Sequence, residues 1–157
     1  MNNTISHQDV PNPLLALPQS GRLMGLDLGT KTIGVAISDG LRLTATPLET
    51  IKRKKFTLDA ARLCEIITEH TICAIILGLP LNMDGTEGPR AQSTRAFARN
   101  LKAKTDCPIA FWDERLSTEA VTRVLLEADM SRAKRARVVD KLAASFILQG
   151  TLDYLGT

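Results

Sequence analysis

Residues 25–40, GLDLGTKTIGVAISDG, place a carboxylate where a strand should be purely apolar. Leu23, Met24, Leu26 and Leu28 precede the tight turn Gly29-Thr30-Lys31, and Ile33, Val35 and Ile37 follow it, which predicts a hairpin over 22–28 and 32–38. Alternation puts Leu23, Gly25, Asp27 and Gly29 on one face of the first strand and Met24, Leu26 and Leu28 on the other. In the second strand Thr32, Gly34, Ala36 and Ser38 share a face opposite Ile33, Val35 and Ile37. One face of the sheet is therefore greasy, and the other is small with a single acid. Glycine weakens a strand, so its concentration there marks a place where a backbone or a ligand comes close. A carboxylate on that face needs a cation or hydrogen bonds, because burying it bare costs too much.

The remaining elements follow from periodicity. Asp39-Gly40 turns the chain into a third strand around 41–50. Thr57 is placed to cap a helix over 58–69 with Leu58, Ala61, Leu63, Ile66 and Ile67 as its apolar stripe. Ile72 to Leu79 is a continuous apolar run, as expected of a strand buried on both faces. A loop over 80–88 leads to Pro89, which opens a helix to about Lys104. Pro108 to Asp113 reads as a last strand, Ser117 starts a helix to about Ala128, and Ser131 starts a final one reaching Tyr154. The order is βββαβαβαα, an α/β fold with a mixed five-stranded sheet and helices on its faces, the later strands joined by right-handed crossovers.

Length allows one domain, with 1–20 as a loose, proline-bearing arm (Pro11, Pro13, Pro18) and the folded domain over 21–157. With 44% apolar and 24% charged residues, the composition is that of a soluble globular protein. The N-terminus carries no basic signal-peptide region and no apolar run is long enough for a membrane, so we expect a cytoplasmic protein without a membrane partner. Cys64, Cys73 and Cys107 lack CxxC spacing and sit in apolar contexts, as small core residues of a reducing compartment do. Net charge is only +3, but it is concentrated in a knot at Lys52-Arg53-Lys54-Lys55 and in Arg132, Lys134, Arg135, Arg137 and Lys141. Such runs are usually solvated faces. The second run, however, occupies the first turns of a helix, where the dipole disfavours cations, which points to phosphate binding. Scarce aromatics argue against base-stacking modules.

Sites in parallel sheets lie beyond the carboxyl ends of the strands. Three acids test that rule. Asp27 comes from the first strand. Asp140, flanked at helical spacing by Ala136, Ala143 and Ala144, comes from the last helix, whose packing stripe reads as Val139, Leu142, Ala143 and Phe146. The third is Asp113 or Glu114 in FWDERLST, between which parity does not choose. Taken singly, the acids outside the first strand read as turn, cap or surface residues. Converging, they would hold Mg²⁺ or Mn²⁺, hard ions that take oxygen ligands.

The segments GLDLGTKTIGVAISD, GLPLNMDG, DERLST and DKLAASFIL, in this order and spacing, resemble the YqgF family over about 21–155. Proteins of this family are RNase H-like and are ascribed Holliday junction resolution or processing of the 5′ end of the 16S rRNA precursor. The resemblance implies an RNase H-like fold with strand order 3-2-1-4-5. It places the catalytic and metal-binding acids at Asp27, Glu114 and Asp140, holding a two-metal site for phosphodiester hydrolysis. Lys31, Arg115, Arg132, Lys134, Arg135 and Arg137 are the expected nucleic-acid contacts, with Ser117 and Thr118 beside them and Asp84 at the rim or in an ordinary Asp-Gly turn. The implied activity is a metal-dependent nuclease of ribosome biogenesis. A Holliday junction resolvase on branched DNA and a non-catalytic nucleic-acid-binding RNase H-like module are the alternatives, and the protein would be a monomer or homodimer. An actin-like phosphotransferase shares the GxDxG hairpin but needs a second such domain, and the chain has no second copy of the hairpin.

Overall fold

The structure is a computed structural model that describes residue 14, residues 16–116 and residues 132–156, with side chains from 142 onward in the last stretch. The hairpin forms as expected. β1 (Arg22–Leu28) and β2 (Thr32–Ser38) pair antiparallel with Asp27 opposite Gly34. The turn closes with Gly29 N–H donating to Thr32 O at 2.8 Å. β3 (Ala45–Lys52) begins later than the sequence suggests. Asp39 accepts the amides of Leu43 and Thr44 at 2.7 and 3.0 Å, and Arg42 sits at φ 59°. A wide turn held by that carboxylate therefore uses up the residues that would have begun the strand.

α1 (Phe56–His70) starts two residues earlier than expected, and Thr57 is not its cap. The cap position falls on Lys55, and the buried carboxylate of Asp59 reaches back to accept Lys54 N–H at 3.2 Å. Its buried face is Ala60, Leu63 and Ile66, whereas Leu58 and Ala61 are exposed. β4 (Ile72–Leu79) and β5 (Ile109–Asp113) run parallel to β1, separated by α2 (Pro89–Lys102). The sheet order is 3-2-1-4-5, as the resemblance implies. The helix expected over 117–128 lies outside the described residues. α3 (Arg132–Gly156) closes the fold.

Two cores fill the two sheet faces. Met24, Leu26, Leu28, Ile33 and Val35 pack with α1 and α2, so the greasy face is the one covered by two helices. Leu23, Ala36, Ala74, Ile76 and Ala110 pack with Ala144, Ile147, Leu148 and Leu152 of α3. The stripe of α3 is thus rotated from the expected one. Leu142, Ala143 and Phe146 are half-buried, and Ala144 and Leu148 take the innermost positions. The reason is Gly25. A β-carbon built on it would lie 2.8 Å from Leu148 Cβ and 3.0 Å from the Ala144 carbonyl oxygen, so its hydrogen lets the helix backbone rest on β1. Leu14 and Leu17, placed by sequence in the loose arm, are buried in this second core. The same cluster holds Leu152 and, packed against it, Leu155 near the C-terminal end of α3.

Candidate active site

The parallel strands β1, β4 and β5 end on the same side, and two of the three acids meet there. Asp27 is the penultimate residue of β1, half-buried, and Glu114 opens a 3₁₀ turn (Glu114–Leu116) directly after β5. β4 lies between them, and its Gly78 makes the meeting possible. A β-carbon on Gly78 would fall 2.7 Å from Glu114 Oε1 and 2.6 Å from Ile147 Cδ1. The glutamate therefore folds back over a strand position that has no side chain, and hydrogen-bonds Asp27. Burial, the Asp27 charge and that hydrogen bond, in this order, push the Glu114 carboxyl up to about 8; Arg90 opposes them and Asp113 adds to them. Without a cation, the two acids behave as a pair sharing a proton.

Asp113 takes a different part. Its carboxylate is forked by Arg115, with Nη2 to Oδ2 at 2.7 Å and Nε to both oxygens, and also accepts Arg115 N–H at 3.0 Å. Those hydrogen bonds hold Asp113 below the ordinary carboxylate value against its partial burial. Arg115 Nη1 donates to Met83 O at 3.2 Å, which ties the end of β5 to the loop over 80–88. That loop is internally closed. Asp84 Oδ1 accepts Thr86 N–H at 3.0 Å and Thr86 Oγ1 at 2.6 Å, and Asn82 Nδ2 donates to Thr86 Oγ1 at 2.9 Å. Asp84 thus fills the turn role.

Lys31 is exposed in the turn between β1 and β2. Asp140 belongs to α3, one turn before Ala144, but its side chain and those of Arg132, Lys134, Arg135 and Arg137 lie outside the described residues, as do Ser117 and Thr118. Among the described residues no group of three or more metal-ligating side chains forms, and no helix is long and apolar enough to cross a membrane. Gly78 and Arg90 were not singled out from sequence. The first is legible afterwards as the lone glycine in an apolar strand. The second carries no local signal, because its approach to Glu114 joins α2 to the turn after β5.

The model of the family described as RuvX: Holliday junction resolvase matches residues 21–154. A relative from Cereibacter sphaeroides named "Putative pre-16S rRNA nuclease" is 64% identical over 149 residues, covering 95% of this chain and 93% of its own. One of the same name from Ruegeria sp. is 68% identical over 138 residues, covering 88% of each. Among solved structures, Thermus thermophilus RuvC in complex with a Holliday junction substrate superposes with a TM-score of 0.57 at 15% identity, over 87% of this chain and 97% of that one. At that identity the likeness is one of fold, and it agrees with the RNase H-like architecture expected of the 3-2-1-4-5 sheet. The match over 21–154 and the close relatives together establish that the chain belongs to the RuvX family.

Proposed function

We propose that this chain hydrolyses phosphodiester bonds of the 16S rRNA precursor, with Asp27, Glu114 and Asp140 as its catalytic acids. That it is a nuclease follows from its family and from relatives more than 60% identical. The RNA substrate is carried over from the name of those relatives. The observation that carries the residue assignment is the Asp27–Glu114 contact, two acids held together over Gly78 at the carboxyl end of a parallel sheet. Such a pair is strained as two anions and matched to a divalent cation, and an all-oxygen donor set suits Mg²⁺ or Mn²⁺. Asp27 and Glu114, joined by Asp140, would hold the ions. Bound there, two such ions would lower the pKa of the attacking water and neutralise the leaving oxygen.

The chain's own groups do the rest. Gly78 lets the Glu114 carboxylate lie beside Asp27, and the Asp113–Arg115 fork fixes the turn from which Glu114 projects. Lys31 offers an ammonium to a phosphate at the mouth of the site. Arg132, Lys134, Arg135 and Arg137, preceding Asp140 on the same helix, guide the strand through phosphate contacts, with Arg115 bracing the rim. Phosphate contacts carry no sequence information, so branched DNA is the substrate to set against RNA. The test is a cleavage assay with Mg²⁺ or Mn²⁺ on a 5′-extended 16S precursor and on a four-way DNA junction side by side. Cleavage of the RNA, lost in Asp27→Asn, is expected. Preferential cleavage of the junction would reassign the substrate, and no cleavage of either by the folded protein would sink the reading.

A further inference from the structure

Beside the β1–β2 turn lies a cavity of about 40 Å³ lined by Gly29, Thr30, Arg53, Arg90 and Ser93 among others. Its two charged lining residues are both arginines, and they arrive from different elements. Arg53 follows β3. Its Nη1 donates to Gly29 O at 2.6 Å and its guanidinium lies 5.9 Å over the Phe97 ring, which fixes it in place. Arg90 is in the first turn of α2, exposed, and close enough to Glu114 to oppose the rise in its pKa. The first turn of α2 carries no acid, and Gly88 at its cap position supplies no side-chain cap hydrogen bond. Two arginines line this cavity with no carboxylate among its described lining residues, Glu114 lying near Arg90 but outside it, so an anion there would be matched by both guanidiniums. Volume of this size holds roughly three water-sized groups, the bulk of a phosphate's oxygens.

We propose that this cavity binds a backbone phosphate of the nucleic-acid strand, adjacent to the bond being cut. The inference rests on the reading of Asp27 and Glu114 as the nuclease centre, since Asp27 immediately precedes the Leu28–Thr30 wall of the cavity. Guanidinium forks match phosphate oxygens bidentately, and Arg53 is pre-oriented by Gly29 and Phe97. The subsite sets where the strand lies across the sheet end, with one phosphate between the arginines while the next bond reaches the acids.

The test uses the whole protein in EDTA, so that binding is read without cleavage. Anisotropy of a labelled single-stranded RNA is followed against KCl for the parent, Arg90→Gln and Arg99→Gln, an exposed arginine of α2 outside this cavity. Arg90→Gln is expected to flatten the slope of log K against log salt by about 0.7, the value for one phosphate on a single strand. Arg99→Gln should leave it unchanged. In parallel, inorganic phosphate is titrated into ¹⁵N-labelled protein. Amide shifts at Thr30, Arg90 and Ser93 that vanish in Arg90→Gln support the subsite. A parent slope retained in Arg90→Gln, with no shifts at those amides, overturns it even if the protein cleaves RNA. Shifts at the cavity in a protein that cleaves neither substrate would keep the subsite and sink the nuclease reading instead.

Discussion

The Asp27–Glu114 pair makes the metal-free protein lose stability as pH rises, and the size of the loss follows from its geometry. Glu114 titrates near 8 in the folded chain against 4.5 when unperturbed. The folded value is the higher one, so the native state holds its proton more tightly. Below pH 4.5 both states are protonated and the pair costs nothing. Between 4.5 and about 8 the unfolded chain gives up its proton while the folded chain keeps it, and stability falls by about 1.4 kcal/mol per pH unit. The full interval corresponds to about 5 kcal/mol; solvent reaching the carboxyl lowers this to about half, which for a chain of this length is roughly 5–10 °C of melting temperature. Asp39, Asp84 and Asp113 have depressed values, so their contributions are lost only as pH falls below the ordinary carboxylate range and do not overlap this window. The assay is a thermal melt in EDTA from pH 5 to 9. The parent should lose stability steadily across that range, and Glu114→Gln should be flatter and more stable than the parent at pH 8. A parent curve without slope, or an equal slope in Glu114→Gln, would refute the reasoning.

Four other outcomes are expected. Mg²⁺ added at pH 8 should raise the melting temperature of the parent and leave that of Asp27→Asn unchanged, as a calorimeter or dye melt will read. A β-carbon at Gly78 would lie 2.6 Å from Ile147 Cδ1 and 2.7 Å from Glu114 Oε1, so in Gly78→Ala both side-chain ends must swing aside; cleavage should fall at least 10-fold while circular dichroism stays native, with a cost of about 1 kcal/mol or less in urea. Glu114→Gln should impair cleavage more severely than Asp113→Asn, which only loosens the Arg115 fork; the reverse order in a rate assay would transfer the role to Asp113. Because Leu14 and Leu17 are buried, deleting residues 1–20 should lower the melting temperature by several degrees, and Leu17→Ala alone should cost about 2 kcal/mol or more in denaturant unfolding.

The sequence by itself determined the strands, their faces and the family. Period-two alternation in 22–38 and the unbroken apolar run of β4 are local signals, set by side-chain direction on a pleated chain, and both came out at the expected residues. Element starts fixed by one polar side chain differ from the sequence expectation. Asp39 delays β3, and Asp59 rather than Thr57 holds the start of α1, because which of several capable oxygens captures an amide depends on the fold around it. The small face of β1 was legible, but not what covers it. Gly25 admits the backbone of α3, a contact between residues more than a hundred positions apart. Separation along the chain likewise hid the choice between Asp113 and Glu114. Parity said they point oppositely, and only the packing of β5 beside β4 decided which one crosses Gly78 to Asp27 and which one turns to Arg115. Chain order dictates which way a side chain leaves its own element; what it meets there is set by the neighbouring strand, and that neighbour is chosen by tertiary packing.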